Sequence, residues 1–160
     1  MPSNSALVLE APQQEAIQQV IERLLRDARA RSVFLIEKNG QLLASSGETE
    51  ELDKDSLASL TAGNIAATGG LAKVIGEQEF SILFHEGEKD NLHLSLVAER
   101  MILVVLFDER SSLGLVRLRL KRATNALEKL LEEVLATSAQ PASSNPLAEI
   151  TDEDIDNLFK

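Results

Sequence analysis

The segment from Ser56 to Gly76 constrains the fold of this chain more than any other. It reads SLASLTAGNIAATGGLAKVIG, about six helical turns in which almost every position without a large aliphatic is Ala, Gly, Ser or Thr. Glycine inside a helix costs about 1 kcal/mol relative to alanine. The segment nevertheless keeps Gly63, Gly69 and Gly70. We therefore expect a helix whose backbone comes close to another backbone, which makes it a docking surface.

Two faces of this predicted helix differ in the size of their side chains. One face carries residues at a three-to-four spacing, which predicts a buried stripe of Leu57, Leu60, Ala67, Leu71 and Val74. The other face carries only small residues, namely Ser59, Ala62, Gly63, Ala66 and Gly70. Close packing of the small face inside one protomer, with Gly69 and Gly70 ending the helix, is an alternative that the sequence leaves open.

Composition bounds the class of protein. A chain of 160 residues with 44% hydrophobic content is long enough for one domain with a real core. Its net charge of −10 argues against a nucleic-acid partner, which needs a basic surface. There is no cysteine, and the longest apolar run, Met101 to Phe107, is far shorter than the roughly 20 residues that span a bilayer. Because the first twelve residues contain no basic and apolar leader, we expect a cytoplasmic protein without a membrane partner.

Hydrophobic periodicity predicts an α+β domain with the order α-β-β-α-β-β-β-α. An amphipathic pattern from about Pro12 to Ala30 predicts the first helix, and a two-residue Asn39-Gly40 turn between SVFLIEK and QLLASS predicts a hairpin. Three strand patterns follow the small-residue helix: FSILFHE, NLHLSLVAE and MILVVLFDE. The last is apolar at every inner position and predicts a central strand covered on both faces. A third helix is expected from about Ser112 to Thr137.

The composition of the chain changes after residue 137. We expect residues 1–11 to be a disordered N-terminus, 12–137 the domain, 138–148 a flexible linker and 149–160 a short acidic helix. In this last segment Ile155, Leu158 and Phe159 fall on one helical face, which predicts a helix that binds a partner. A helix this short is marginal alone, so we expect a partner to order it.

Charged side chains offer one candidate for direct catalysis. Arg110, in the loop FDERSS, is where an arginine finger for GTP hydrolysis would be sought, although a loop arginine more often pairs with a nearby carboxylate such as Asp108 or Glu109. A basic stripe on the third helix is expected to be a solvated face or, alternatively, a surface that attracts an acidic partner or the acidic tail. Its members are Arg117, Arg119, Lys121 and Arg122, with Arg23 and Arg26 of the first helix as possible neighbours.

No motif predicts a metal or a nucleotide in this chain. His85 and His93 flank a turn and could approach one another across a hairpin, but two histidines without a third ligand predict ordinary strand residues. Gly69, Gly70 and Lys73 do not form a phosphate-binding loop, and no nucleophile elbow or HExxH motif is present. We expect no cofactor, no metal and no catalytic residue.

Four segments, taken in this order, carry a resemblance to a known family. They are VFLIEKNGQLLASSG, LDKDSLASLTAGNIAATGGLAKVIGE, FHEGEKDNLHLSLVAERMILVVLFDERSSLGLVRLRLK and the terminal ITDEDIDNLF. With the element order, they resemble the Roadblock/LC7 family over roughly residues 13–137 plus the tail. The most specific parts are TAGNIAATGGLAK and FDERSSLGLVRL, and they point to a bacterial branch of that family.

The resemblance implies a profilin-like fold and a function. The fold is a five-stranded antiparallel sheet with helix 2 on one face and helices 1 and 3 on the other. The family resemblance also implies a homodimer that pairs through Ser56 to Gly76 and through the following strand, Phe80 to His85. It implies a non-enzymatic GTPase-activating protein for the Ras-like polarity GTPase MglA, with two copies of this chain to one GTPase. Such a protein orders the GTPase's own catalytic residues, adds nucleotide exchange through the C-terminal helix and gathers at a cell pole.

The resemblance and the small-residue face together give three sets of candidate site residues. An exposed edge strand invites pairing with another chain, and a two-fold interface must be self-complementary. The GTPase-binding and dimer face of helix 2 comprises Ser59, Ala62, Gly63, Ala66, Gly70 and Lys73. The dimer edge strand contributes Phe80, Ile82 and Phe84, and the C-terminal partner helix contributes Ile155, Leu158 and Phe159.

Two other function classes compete with this hypothesis. A scaffold subunit of a larger assembly would bind its partner equally in both nucleotide states. A ligand-sensing domain is less favoured, because the chain has five Phe and no Tyr or Trp to line a pocket.

Overall fold

The computed structural model describes residues 7–139, with side chains through residue 136. The chain divides into two compact units, 1–128 and 129–160. The sheet belongs to the first unit, and the described part of the second unit is the C-terminal end of a helix.

Three helices and five strands follow one another as the hydrophobic pattern predicts. They are α1 (Ala11–Asp27), β1 (Ser32–Glu37), β2 (Leu42–Gly47), α2 (Lys54–Val74), β3 (Ile82–Glu86), β4 (Asn91–Val97), β5 (Met101–Phe107) and α3 (Leu113–Ala139). The order α-β-β-α-β-β-β-α is confirmed.

The five strands form one antiparallel sheet in the order β2-β1-β5-β4-β3. β5 lies in the middle and all seven of its residues are buried, so the predicted central strand is confirmed. The edge strands are β2 and β3, and they differ in exposure. Leu43 and Ala44 of β2 are buried, whereas β3 has no buried residue. The sheet is therefore well covered at one edge and open at the other.

Side-chain alternation across the sheet creates two cores. Phe34, Ile36, Ile102 and Val104 pack with Ala58 and Ile65 of α2 on one face. On the other face α1 buries Ile17, Ile21 and Leu24, as its periodicity predicts, and α3 buries Val116, Leu120 and Leu127. One helix on one face and two on the other is the layering that the family resemblance implied.

The first hairpin turns through three residues rather than the two predicted. The Gly40 N–H donates to the Glu37 carbonyl at 2.8 Å, and the Glu37 N–H donates to the Gln41 carbonyl at 2.8 Å. Gly40 has a φ of +96°. A turn followed by a positive-φ glycine is the usual three-residue hairpin, so the Asn-Gly pair predicted the hairpin correctly and its loop length wrongly.

α1 ends at Asp27, earlier than the predicted Ala30, because the chain reverses at Arg29. The Ala30 N–H donates to the Leu25 carbonyl at 3.1 Å, which closes the helix end, and Arg29 takes a φ of +54°. This left-handed position favours glycine. The backbone at Arg29 is therefore in a conformation that costs free energy for a residue with a β-carbon.

Candidate partner-binding surface on α2 and β3

The face of α2 that meets the sheet is not the one that the sequence predicts. Its buried residues are Ala58, Thr61, Ile65 and Ala72. Of the predicted buried stripe, only Leu57 packs against the core cluster. Leu60, Leu71 and Val74 are 74%, 56% and 82% exposed, and Ala67 is exposed as well. The prediction of a buried aliphatic stripe is wrong, because small residues let α2 approach the sheet closely and the large aliphatics point away from it.

The glycines of α2 do not serve packing inside the protomer. A β-carbon built on Gly63, Gly69 or Gly70 would meet nothing within 4 Å. The glycine pair does not end the helix either, because α2 continues to Val74. The helix closes at Gly76, with a φ of +87° and the Glu77 N–H donating to the Ala72 carbonyl at 2.8 Å. Neither close packing inside the protomer nor a glycine-pair helix end therefore explains these glycines.

Two flanks of α2 can be distinguished by what lies beside them. On the hairpin flank, a β-carbon on Gly40 would lie 3.9 Å from both Ala62 Cβ and Ser59 Cα. On the β3 flank, Asn64 Nδ2 lies 3.2 Å from Nε2 of His85. At 100° per residue, the positions that share the hairpin flank are Ser59, Ala62, Ala66 and Lys73, and those that share the β3 flank are Leu60, Asn64 and Leu71. Gly63 and Gly70 lie between the two, at the outermost line of the helix.

The size of the exposed side chains differs between these flanks. The hairpin flank is made of small residues and one lysine, whereas the β3 flank exposes two leucines. Leu60 and Leu71 stand about three turns apart on this flank and make it the more apolar of the two. α2 therefore presents two chemically different surfaces. The sequence separated the small residues from the aliphatic ones but predicted the aliphatic face to be buried.

The open edge of the sheet, β3, lies beside the β3 flank, and its two exposed apolar side chains point to the sheet face opposite to α2. Among the described residues β3 pairs only with β4, and it exposes Ile82 and Phe84 at 50% and 36%. Phe80, predicted as a strand residue, precedes β3. In this register its partner would be Val97, the last residue of β4, where the chain already turns towards β5. The strand membership of Ile82 and Phe84 is thus confirmed and that of Phe80 is corrected.

The other edge of the sheet is covered by α1. Gln14 Nε2 donates to the Leu43 carbonyl at 2.7 Å, and Gln18 Nε2 donates to the Ser45 carbonyl at 2.9 Å. These two carbonyls of β2 already have partners within the protomer. Because edge strands pair with other chains through free backbone groups, β3 is the edge better suited to a second molecule.

Arg110 is held in an ion-pair network at the far end of the sheet. Its guanidinium lies 3.0 Å from Asp108 and 3.2 Å from Glu48, and Glu48 also accepts a 3.1 Å bond from Arg31. These hydrogen bonds raise the pKa of Arg110 and lower the pKa of both carboxyls. Arg31 extends the network to Asp90 at 2.8 Å. To act as an arginine finger, Arg110 would have to leave both carboxylates. The structure therefore favours the alternative from the sequence, in which this loop arginine pairs with a nearby carboxylate.

The basic stripe of the third helix separates into two pairs. Arg119 and Arg122 line a small hollow of about 110 Å³ beside Arg23 and Asp27 of α1. Arg117 and Lys121 line a larger cavity between α3 and strands β3 and β4. The sequence did not indicate this division, because it depends on which neighbour each helix side meets.

The two histidines face opposite sides of the sheet. His85 pairs with Leu92 and reaches Asn64 of α2, whereas His93 pairs with Phe84 and lines the cavity beside α3. They do not approach one another across the hairpin as the sequence allowed. Within residues 7–139, no group of three acidic or histidine side chains could hold a metal ion. None of the helices in that range is both long and apolar enough to cross a bilayer.

The predicted C-terminal residues Ile155, Leu158 and Phe159 lie outside the described residues. Leu60 and Leu71 are the surface residues whose exposure sequence analysis missed. A second three-to-four repeat, through Ala58, Thr61 and Ile65, also predicts a buried stripe and could have identified the face of α2 that meets the sheet.

This layering is found in a known class of protein. The Roadblock/LC7 domain model matches residues 16–107, and the chain belongs to this family. Within it, the chain is similar to MglB of Myxococcus xanthus, at 55% identity over 80% of this chain and 96% of that one, with a TM-score of 0.76. The gliding protein MglB from Thermus thermophilus is 39% identical, over 81% and 98% of the two chains, with a TM-score of 0.76.

Two further solved structures bear on assembly and fold. An MglB described with a tetrameric arrangement is 38% identical over 82% of this chain and 98% of that one, with a TM-score of 0.77. Profilin IB of Acanthamoeba castellanii is 11% identical over 70% and 96%, with a TM-score of 0.53, and shares the fold alone. No curated protein matches the chain significantly.

Proposed function

We propose that this chain is a homodimeric GTPase-activating protein for a Ras-like small GTPase of the MglA type. It is a regulator without an active site of its own, and it works in bacterial cell polarity and motility. Similarity to MglB proteins over most of the chain supports the class. The observation that carries the proposal is the outer surface of α2, where three glycines have open space in front of them and large aliphatics are exposed beside them.

Dimerisation uses the β3 flank of α2 together with the β3 edge. Leu60 and Leu71 are exposed on α2, and Ile82 and Phe84 are exposed on the opposite face of the adjoining strand β3. Between these two faces β3 offers an edge that pairs with no further strand within the described residues. Two β3 strands that pair antiparallel around a two-fold axis extend each sheet and bury the leucines of both α2 helices. The tetrameric arrangement of a relative at 38% identity supports self-association.

The GTPase contacts the hairpin flank and the outermost line of α2. Ser59, Ala62, Ala66 and Gly70 offer almost no side chain, so a partner can lie against the helix backbone itself. Lys73 adds one positive charge at the end of the same flank. A rigid, close platform of this kind holds the switch regions of the GTPase in the conformation that hydrolyses GTP, without an arginine from this chain.

The acidic C-terminal segment has a separate role. We propose that residues 149–160 contact the GTPase through Ile155, Leu158 and Phe159 and promote nucleotide exchange. Deletion of residues 148–160 is expected to weaken exchange and leave the stimulation of hydrolysis largely intact. Equal loss of both activities would contradict this division of roles.

Single-turnover GTP hydrolysis by an MglA-type GTPase, with and without excess of this chain, tests the proposal. We expect hydrolysis to accelerate and binding to favour the GTP-analogue form over the GDP form. Unchanged hydrolysis with equal binding to both forms would instead identify a scaffold subunit, the competing function. The partner is expected to gather with this chain in the cytoplasm, at a cell pole.

The dimer can be tested separately because the chain contains no cysteine. Ala67→Cys places one thiol at the exposed centre of α2, and mild oxidation is expected to link two copies through it. Ala136→Cys, at an exposed position of α3, is the matched control and should run as a monomer on a non-reducing denaturing gel. Equal cross-linking of both variants would contradict an interface at α2.

A further inference from the structure

A cavity of about 720 Å³ lies between α3 and the two strands β3 and β4, on the sheet face opposite to α2. This volume falls within the range of small-molecule sites, roughly 300–1,000 Å³. Its apolar lining comes from Ile82, Leu96 and Leu120, three residues on three different elements. The cavity takes no part in the surface assigned above to the GTPase.

The charge of the cavity is opposite to that of the chain. Arg117 and Lys121 line it from successive turns of α3, and none of its lining residues is acidic. Neither cation has a hydrogen bond or ion pair with another described residue, whereas Arg31, Arg100 and Arg110 all have carboxylate partners. On a protein with a net charge of −10, two unpaired cations beside an apolar wall form a local positive site.

Unpartnered polar atoms are concentrated at the same place. Four buried side-chain polar atoms lack a hydrogen-bond partner in the described part of the chain, and three of them belong to His93 and Ser95. Both residues line the cavity, and His93 is 1% exposed. Burial and the charge of Arg117 lower the pKa of His93, so its imidazole is neutral at pH 7 and can both donate and accept a hydrogen bond. Buried polar groups are normally satisfied, so such a concentration indicates a missing partner.

We propose that this cavity binds a small organic anion with an apolar body. The anionic group lies between Arg117 and Lys121, and the apolar body lies against Ile82, Leu96 and Leu120. A polar atom on the bound molecule gives His93 or Ser95 the hydrogen-bond partner that each lacks. Because the site is on the face opposite to α2, it does not depend on the proposed contact with the GTPase, although it shares Ile82 with the proposed dimer edge.

Octanoate is the probe that matches this chemistry, with octylamine as the probe of opposite charge and equal chain length. Isothermal titration calorimetry of the full chain should show saturable binding of one octanoate per protomer and no saturable binding of octylamine. In NMR spectra the imidazole signals of His93 should move on addition of octanoate, while those of His85, on the other face, should not. Equal binding of octylamine, or octanoate binding that never saturates, would overturn the proposal.

A pair of double variants on one helix locates the anionic group. Arg117→Ala with Lys121→Ala should weaken octanoate binding about tenfold or more, since charge-assisted contacts are lost. Arg119→Ala with Arg122→Ala removes the same charge from the same helix outside the cavity, and should change affinity by less than about twofold. Equal weakening by both pairs would show that octanoate responds to the overall charge of α3, and the site would be refuted. Circular dichroism checks that all four substitutions leave the fold intact.

Discussion

The glycines at the outermost line of α2 lead to a prediction in which the stability of the protomer and its binding to the GTPase change in opposite directions. Gly63 and Gly70 are exposed, lie inside the helix, and would carry a β-carbon into open space. The change is the double variant Gly63→Ala with Gly70→Ala. If nothing outside the protomer touched this line, alanine would be the better residue at both positions.

The magnitude follows from helix propensity. Each substitution favours the helix by about 0.8–1.0 kcal/mol. The two positions are seven residues apart, about 10.5 Å along the helix axis, so their effects should add to about 2 kcal/mol in the free energy of unfolding of one protomer. In the complex with the GTPase the same variant places two methyl groups of a protomer against the partner, and overpacking typically costs about 1–3 kcal/mol. The protomer should gain stability while its binding to the GTPase weakens.

Urea unfolding of this chain alone, and calorimetric titration of it with the GTP-analogue form of an MglA-type GTPase, separate the two effects. The unfolding midpoint should rise, and the variant should bind the GTPase with a higher dissociation constant than the wild-type chain. Gly114→Ala is the control for an added methyl group, because Gly114 lies in the first turn of α3 with open space in front of it. It should leave GTPase binding unchanged. A double variant that is more stable and binds the GTPase as tightly as wild type would refute the reasoning.

Three further changes follow from single features of the fold. Arg29→Gly removes a β-carbon from a left-handed position at the end of α1 and should raise the free energy of unfolding by about 1 kcal/mol in urea titration; an unchanged midpoint would contradict the strain argument. His93 has a lowered pKa through burial, so below about pH 6.5 the unfolded chain takes up a proton that the folded chain resists. The free energy of unfolding should then fall by at most about 1.4 kcal/mol per pH unit until the pH reaches the pKa of His93 in the folded chain. The His93→Gln variant should not show this fall. Arg110→Ala breaks exposed ion pairs and should leave the urea midpoint nearly unchanged while GTP hydrolysis stays stimulated; a loss of stimulation of about a thousandfold would identify an arginine finger instead.

The order of elements could be predicted from sequence because each depends on local periodicity. The seven apolar residues of β5 indicated a strand buried on both faces, and Asn39-Gly40 indicated a hairpin. The capping of α2 by Asp53, whose Oδ1 accepts the Ser56 N–H at 3.1 Å, was also predictable from residue type. These features require only contacts between residues that are near in the chain.

The orientation of α2 could not be predicted in the same way. Two stripes of this helix repeat with the same period, one through Leu60 and Leu71 and one through Ala58, Ile65 and Ala72. The hydrophobic rule favours the leucines as the buried stripe. The sheet instead takes the small residues, so the aliphatics are left for another molecule. Hydrophobic periodicity does not distinguish a core from an interface.

The cavity beside α3 could not be predicted from the sequence for a different reason. Arg117 and Lys121 differ from Arg119 and Arg122 only in the neighbour that each meets, β3 and β4 in one case and α1 in the other. His93 was correctly expected to be a strand residue, yet its unpartnered nitrogens depend on what lies across the sheet. Such features arise from packing between distant segments.

The central claim is that the small-residue flank of α2 activates the GTPase while the aliphatic flank holds the dimer. Single-turnover GTP hydrolysis by an MglA-type GTPase with an excess of the Ala66→Arg variant tests it most directly, once sedimentation has shown that this variant is still a dimer. We predict that the rate falls to that of the GTPase alone, because an arginine at Ala66 keeps the partner away from the helix backbone. Hydrolysis stimulated as strongly as by the wild-type chain would contradict the account.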